Sequence, residues 1–195
     1  MVVVRLLDAN NCKRNVYLAL KSSSGKLLVN GLDKYLERTP KADLHRALRY
    51  WPSATEHCVL TFYVECSRAC MDEMTRHRHL SFTVSSTRYS GYAEPASMEW
   101  ADSDTAANIT GFIGQLLDYY HTLTGEVDVK RQILPLGIRA TAIVTGNLRA
   151  WRHFYCLRSS PGAHPEIRMV AREIGRIISE ELLDGKEPPC PDFNP

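Results

Sequence analysis

Residues 76–90 read RHRHLSFTVSSTRYS, three arginines, two histidines and seven hydroxyl side chains around Leu80, Phe82 and Val84. A guanidinium offers two parallel N–H donors to a phosphate or carboxylate and keeps its charge in any pocket. Arg76, Arg78 and Arg88, with Ser81, Ser85, Ser86 and Thr87 as further donors, therefore make a candidate anion site. A solvated basic patch is the plainer account of the same composition. His77 and His79 have no carboxylate or thiolate beside them in the motif, so no metal is expected there.

A second cluster lies in residues 147–158, NLRAWRHFYCLR. At 100° per residue, Asn147, Trp151, Phe154 and Arg158 share one helix face, an apolar stripe with a polar group at each end. Asn147 follows Thr145 and Gly146 and suits an N-cap as well as a functional role. Arg158 is harder to place on the surface, because its face is the one that should be buried. Cys156 has no base paired with it in the sequence, which favours a buried thiol over a nucleophile.

These groups need elements to hold them. Residues 2–7, 16–21, 58–65 and 138–145 read as strands, the second by its alternation and the third by its β-branched and aromatic side chains. Residues 42–50 read as a short helix stopped by Pro52, and residues 67–77 carry helix formers into the arginine run. Residues 105–122, 147–157 and 165–183 have apolar side chains at helical spacing. Strands and helices in irregular order predict an α+β fold, one domain over residues 1–185 with an irregular proline-rich tail, KEPPCPDFNP, over 186–195.

Composition narrows the function classes. A chain of 195 residues can bury roughly 70% of its unfolded surface and needs neither metal nor disulfide for its core. A net charge of +2 is too balanced for bulk attraction to nucleic acid or membrane. The opening MVVVRLLDANN is too short in apolar residues for a signal-peptide core, and no run approaches a membrane span. A cytoplasmic protein is expected, with its six scattered cysteines as reduced thiols. Neither GxGxxG nor GxxxxGK[ST] occurs, so a nucleotide cofactor would be held by side chains.

The segment RHRHLSFTVSSTR resembles the RHRxxSxxxxSxR signature of the flavin-dependent thymidylate synthases, the ThyX family, at every fixed position. Thr55-Glu56-His57 is similar to the family's FEH segment, and Arg131 to Pro135 to its RxxLP. Asn147, Arg149, His153 and Arg158 resemble its N-x-R…LR helix, and residues 163–167 its A-Q-x-E-I. The resemblance implies a ThyX-like α+β homotetramer with FAD between subunits. NADPH would be the reductant and methylenetetrahydrofolate the one-carbon donor, with C5 of a uracil nucleotide, dUMP or UMP, as acceptor. Carried over by position, it implies FAD contacts from Ser53, Arg76, His77, Arg78, Asn147, Arg149 and His153. It implies nucleotide contacts from Glu73, Ser85, Ser86, Thr87, Arg88, Arg131 and Arg158. Arg158 would be the catalytic group, favouring ionisation of the pyrimidine.

Four positions depart from the family pattern. Glu73 stands where Gln is usual, Val84 where Glu or Gln is usual, Trp51 where a histidine is frequent and His153 where Asn is frequent. The resemblance thus extends more fully to the flavin side than to the nucleotide side. A branch of the family in nucleoside-antibiotic pathways methylates UMP as well as dUMP, and loss of polar bulk at Val84 would suit a relaxed sugar pocket. A non-catalytic nucleotide- or RNA-binding protein and a flavin-binding member without methyl transfer are the alternatives.

Overall fold

The computed structural model describes residues 2–40, 42–89 and 93–191; Ser90 of the arginine run and residues 192–195 of the tail lie outside them. The chain opens with strand β1 (Val3–Asn10), then α1 (Cys12–Ser23) and the short helices α2 (Lys26–Asn30), α3 (Asp33–Leu36) and α4 (Leu44–Tyr50). A 3₁₀ turn (Pro52–His57) leads into β2 (Val59–Ser67), α5 (Arg68–Met74) and β3 (Leu80–Val84). Then come α6 (Ser103–Thr122), α7 (Val127–Lys130), β4 (Arg139–Asn147), α8 (Leu148–Arg158) and α9 (Pro165–Leu182). Among the described residues the four strands form one antiparallel sheet in the order β1-β2-β4-β3. This is the α+β arrangement that the element order predicts.

The sheet is one-sided. Leu60, Phe62, Val64 and Cys66 of β2 alternate with Thr61, Tyr63 and Glu65, and only the first set is buried. Ala140, Ala142 and Val144 of β4 extend the same inner face. Helices α5, α8 and α9 supply buried side chains to the core that forms there, whose largest members are Trp151, Phe62 and Phe154. Trp151 sits edge-on to both rings and donates its indole N–H to the Leu60 carbonyl. Ile113 and Leu117 of α6 instead join Ile138 in a smaller, separate core. Ile109 and Phe112 of α6 remain exposed.

Two helices leave their strands without a loop. Ser67 ends β2 and N-caps α5, its hydroxyl accepting from the Cys70 N–H; Asn147 ends β4 and N-caps α8, accepting from the Ala150 N–H. The paired strands are antiparallel, Ser67 opposite Arg139 and Val59 opposite Asn147, so α5 and α8 start from opposite ends of the sheet. Buried Glu166, in the first turn of α9, accepts from both the N–H and the hydroxyl of Ser67 and so ties the start of α5 to α9.

The structure corrects two expectations. Residues 16–21 are helical, inside α1, not a strand. Their six-residue alternation is outweighed by the spacing of Cys12, Val16 and Leu20, which bring one helical face onto the core. The cysteines are not all reduced thiols. Cys12 bonds to Cys58 and Cys156 to Cys190, while Cys66 and Cys70 remain free and buried. Bridges closing 46 and 34 residues of chain depend on the tertiary fold, which scattered spacing does not report. Val84 lies on the side of β3 shared with Leu80 and Phe82 and packs, half-buried, against the main core.

Candidate functional site

Helix α5 ends at Met74, and the chain turns through Thr75–His79 into β3, with the His77 N–H bonded to the Met74 carbonyl and the Leu80 N–H to the His77 carbonyl. This turn carries Arg76, His77 and Arg78 up against α8. A cleft of about 360 Å³ opens between them, lined by the turn and by Ala150, His153, Leu157 and Arg158 of α8. Helical spacing explains the α8 contribution, since positions 150, 153 and 157 fall along one side of the helix.

His77 is the hinge of this cleft. Its ring stands edge-on to Phe154 with centroids 4.9 Å apart and to His153 at 6.2 Å. Burial, then the charges of Arg158 and His153, lower its pKa to about 4, so near neutral pH the imidazole is uncharged. Its Nε2 accepts from Nε of Arg158 at 3.0 Å, which places the ring proton on Nδ1. Arg158 also donates through Nη1 to the Glu73 carboxylate at 2.8 Å and through Nη2 to the Glu73 carbonyl at 3.4 Å. The Arg158 side chain is 18% exposed and that of Glu73 31%, so the pair is largely, not wholly, shielded. Arg76 and Arg78 are exposed and form no ion pair among the described residues.

The remaining cofactor-side candidates flank the start of α8. Asn147 is spent through its side-chain oxygen as the N-cap, as the plainer reading had it. Arg149 pairs with Glu56 at 2.6 Å, and Ser53 is exposed on the same 3₁₀ turn that carries Glu56.

A second group lies beyond β3. Its five residues extend roughly 17 Å, so Ser85 is well removed from the His77 cleft. Ser85 is fixed to β4, its N–H bonded to the Thr141 carbonyl and its hydroxyl accepting from the Thr141 N–H. Ser85, Ser86 and Thr87 line a cleft of about 200 Å³ with Arg68 and Arg139. Thr87 and Arg68 also border an adjoining cleft of about 350 Å³ that contains Arg131. Arg88 and Arg131 converge on one carboxylate, Asp128, at 3.2 and 3.3 Å. Two guanidiniums already aimed at a single anion are an arrangement a phosphate can use.

The structure therefore brings the candidates together in two groups, not one. Glu73 and Arg158 fall with the arginine turn, apart from Ser85, Ser86, Thr87, Arg88 and Arg131. Sequence reasoning missed two residues of this group: Asp128, which holds Arg88 and Arg131, and Arg68, which donates to the Ser85 carbonyl and borders both clefts. Asp128 sits three residues before Arg131, a helical spacing that could have announced it; Arg68 carries no comparable signal.

Residues 5–182 match the family model described as thymidylate synthase complementing protein. The chain is 33% identical over 148 residues to the probable flavin-dependent thymidylate synthase of Mycobacterium phage D29, which covers 66% of this chain and 63% of that protein. It is 33% identical over 151 residues to the flavin-dependent thymidylate synthase of Mycobacterium tuberculosis H37Rv, 65% of this chain and 60% of the relative. The chain thus spans less than two thirds of the length of these relatives. Thymidylate synthase X of Helicobacter pylori, solved with FAD and dUMP, superposes with a TM-score of 0.72 over 95% of this chain and 97% of its own, at 16% identity. At that identity the likeness speaks for the fold.

Proposed function

This chain belongs to the thymidylate synthase complementing protein family, and we propose that it is an FAD-dependent enzyme that methylates C5 of a uracil nucleotide. Methylenetetrahydrofolate would be the one-carbon donor and NADPH the reductant. The observation that carries this reading is the cleft between the Arg76–Arg78 turn and α8, with Arg158 held at its wall. Bound FAD would supply the hydride chemistry that joins reductant to methyl transfer.

The residues present fit such a cofactor. Arg76 and Arg78, exposed and without an ion pair among the described residues, suit a diphosphate or a reduced ring bearing negative charge. The neutral His77 imidazole and the flanking apolar side chains suit an aromatic system. His153 lines the same cleft, and Arg149 with Ser53, beside the start of α8, would extend the contact. For the nucleotide, Ser85, Ser86 and Thr87 offer hydroxyls, and Arg88 with Arg131 offers a phosphate clamp. Arg158 would hold negative charge on the pyrimidine ring, which raises electron density at C5 and makes an enzyme nucleophile unnecessary. Cys70 fits that economy, because its hydrogen bond with Cys66, with burial behind it, pushes its thiol far up.

The separation of the two groups favours a site completed by another copy of the chain, with the flavin cleft of one subunit facing the phosphate clamp of the next. The exposed Ile109 and Phe112 of α6 favour such an assembly, a closed homotetramer. Light scattering that gave an active monomer would remove this part of the reading. One observation favours a second reading, a flavin-binding member without methyl transfer: Glu73 already neutralises Arg158. Purification and isotope transfer separate the two. A yellow protein bleached by NADPH that passes label from methylenetetrahydrofolate to dUMP supports the enzyme, and bleaching without transfer supports the second. A colourless protein that FAD cannot reconstitute overturns both. Acceptance of UMP beside dUMP rests on Glu73 and the half-buried Val84, where the family usually has Gln and Glu or Gln, and competition between the two in one assay tests it.

A further inference from the structure

The two bridges differ in how a reagent reaches them. Cys12 and Cys58 are 3% and 0% exposed and join α1 to the start of β2 inside the main core. Cys156 is 8% exposed, but its partner Cys190 is exposed on the segment that follows α9. Its other anchors gather at the helix end, where Leu183 is buried in the main core and Asp184 pairs with Lys13 at 3.2 Å. Gly185 donates to the Ser179 carbonyl and Lys186 to the Leu183 carbonyl, both at the helix end, and beyond them Pro188 alone is buried.

Where this segment lies has a consequence for the surface. Gly185 and Glu187 form one wall of a groove of about 1250 Å³, bounded otherwise by β1, by Tyr155 of α8 and Ser159 just past its end, and by α9. Tyr155 and His153 are two positions apart, about 200° around the helix, so this groove is on the far side of α8 from the His77 cleft. The tail comes close enough for Glu187, after burial, to raise the pKa of the Tyr155 phenol, with Arg172 opposing.

We propose that Cys156–Cys190 is a thiol-exchange site at which a dithiol reductant releases the segment after α9 from helix α8, while Cys12–Cys58 stays closed. An incoming thiolate attacks Sγ of the exposed Cys190, and a new S–S bond forms there as the bond to Cys156 breaks. The electron pair leaves with the Cys156 sulfur, which takes up a proton. The second thiol of the same reductant then displaces Cys190. Two electrons and two protons have entered the protein, and the reductant departs as its own disulfide. The freed segment no longer walls the groove, and α8, which carries Arg158 two residues beyond Cys156, loses its covalent tie to the tail.

Thiol counting on the full chain tests this, after equilibration in an oxidised small-molecule thiol buffer. Alkylation in denaturant followed by mass spectrometry should find two free thiols, Cys66 and Cys70. Brief treatment of the folded protein with dithiothreitol should add Cys156 and Cys190 and leave Cys12 and Cys58 unmodified. Amide exchange over Gly185–Glu187 should then rise by about tenfold, and Cys190→Ser should show the same rise without reductant while keeping a cooperative melt. The proposal is overturned if the oxidised buffer forms no Cys156–Cys190 bridge, if Cys12–Cys58 opens as fast, or if exchange over Gly185–Glu187 is unchanged on reduction.

Discussion

Arg158 and Glu73 form an ion pair at 2.8 Å across the C-terminal ends of α8 and α5, and the same guanidinium donates to Nε2 of His77 at 3.0 Å. The cation proposed to act on the substrate therefore rests on a carboxylate before any substrate arrives. Replacing Glu73 with Gln keeps a hydrogen-bond acceptor and removes the competing charge. Nucleotide KM should fall by about fivefold, close to the upper value for a partly exposed pair. An unchanged KM would mean that Arg158 does not meet the nucleotide.

Arg158→Ala should lower kcat by at least ~100-fold, the scale of a lost electrostatic stabiliser. The flavin-to-protein absorbance ratio should be nearly unchanged, because Arg76 and Arg78 remain. Loss of flavin with normal turnover per remaining flavin would reassign Arg158 to the cofactor.

Arg88→Ala and Arg131→Ala should each raise nucleotide KM by about tenfold or more with kcat largely kept, the pattern of lost ground-state phosphate binding. Their ion pairs with Asp128 are exposed, so neither change should move Tm by more than a few degrees. A fall in kcat at constant KM would instead place the clamp at the reacting ring.

His77 gives stability a pH dependence of definite sign. Its pKa is about 4 in the folded protein against 6.5 as the ordinary value, so between these limits the unfolded chain binds more protons. Stability should therefore fall as pH drops from 6.5 towards 4 and be fully restored above 6.5. His77→Gln should flatten that part of the curve, measured by denaturant melts across the range. An identical slope in the variant would move the effect to another group.

Glu166→Ala should cost about 3 kcal/mol, because the N–H and hydroxyl of Ser67 would be left buried without an acceptor. Tm should fall by roughly 10 °C in a chain of this size. Glu166→Gln, which keeps an acceptor, should recover about half of that loss. Equal losses in both variants would show that the charge, not the acceptor, matters.

What the sequence revealed was local. The 3.6-residue stripe of α8 was readable from Trp151, Phe154 and Arg158, and the N-cap role of Asn147 from its neighbours, because both depend on nearby residues. Long-range partners left no such trace. Nothing in the spacing of Cys156 and Cys190 announces their bridge, and nothing near Ser67 points to Glu166. Val84 is the instructive case between these. Leu80, Phe82 and Val84 alternate, and reading that run as a strand would have placed all three on one inner face. Attention to the polar residues of the run hid the strand beneath them.

The loop-free junctions at Ser67 and Asn147 turn helix length into a constraint on chemistry. The nine paired residues of β2 and β4 extend roughly 30 Å. Seven residues of α5 and eleven of α8, at about 1.5 Å each, together cover roughly 27 Å of that span from its two ends. Glu73 reaches Arg158 because these lengths nearly sum to the length of the strands. One residue inserted at either junction would turn its helix by about 100° and shift its end by about 1.5 Å, parting the pair. Variation in chain length is thereby shut out of both junctions, where no loop exists to absorb it.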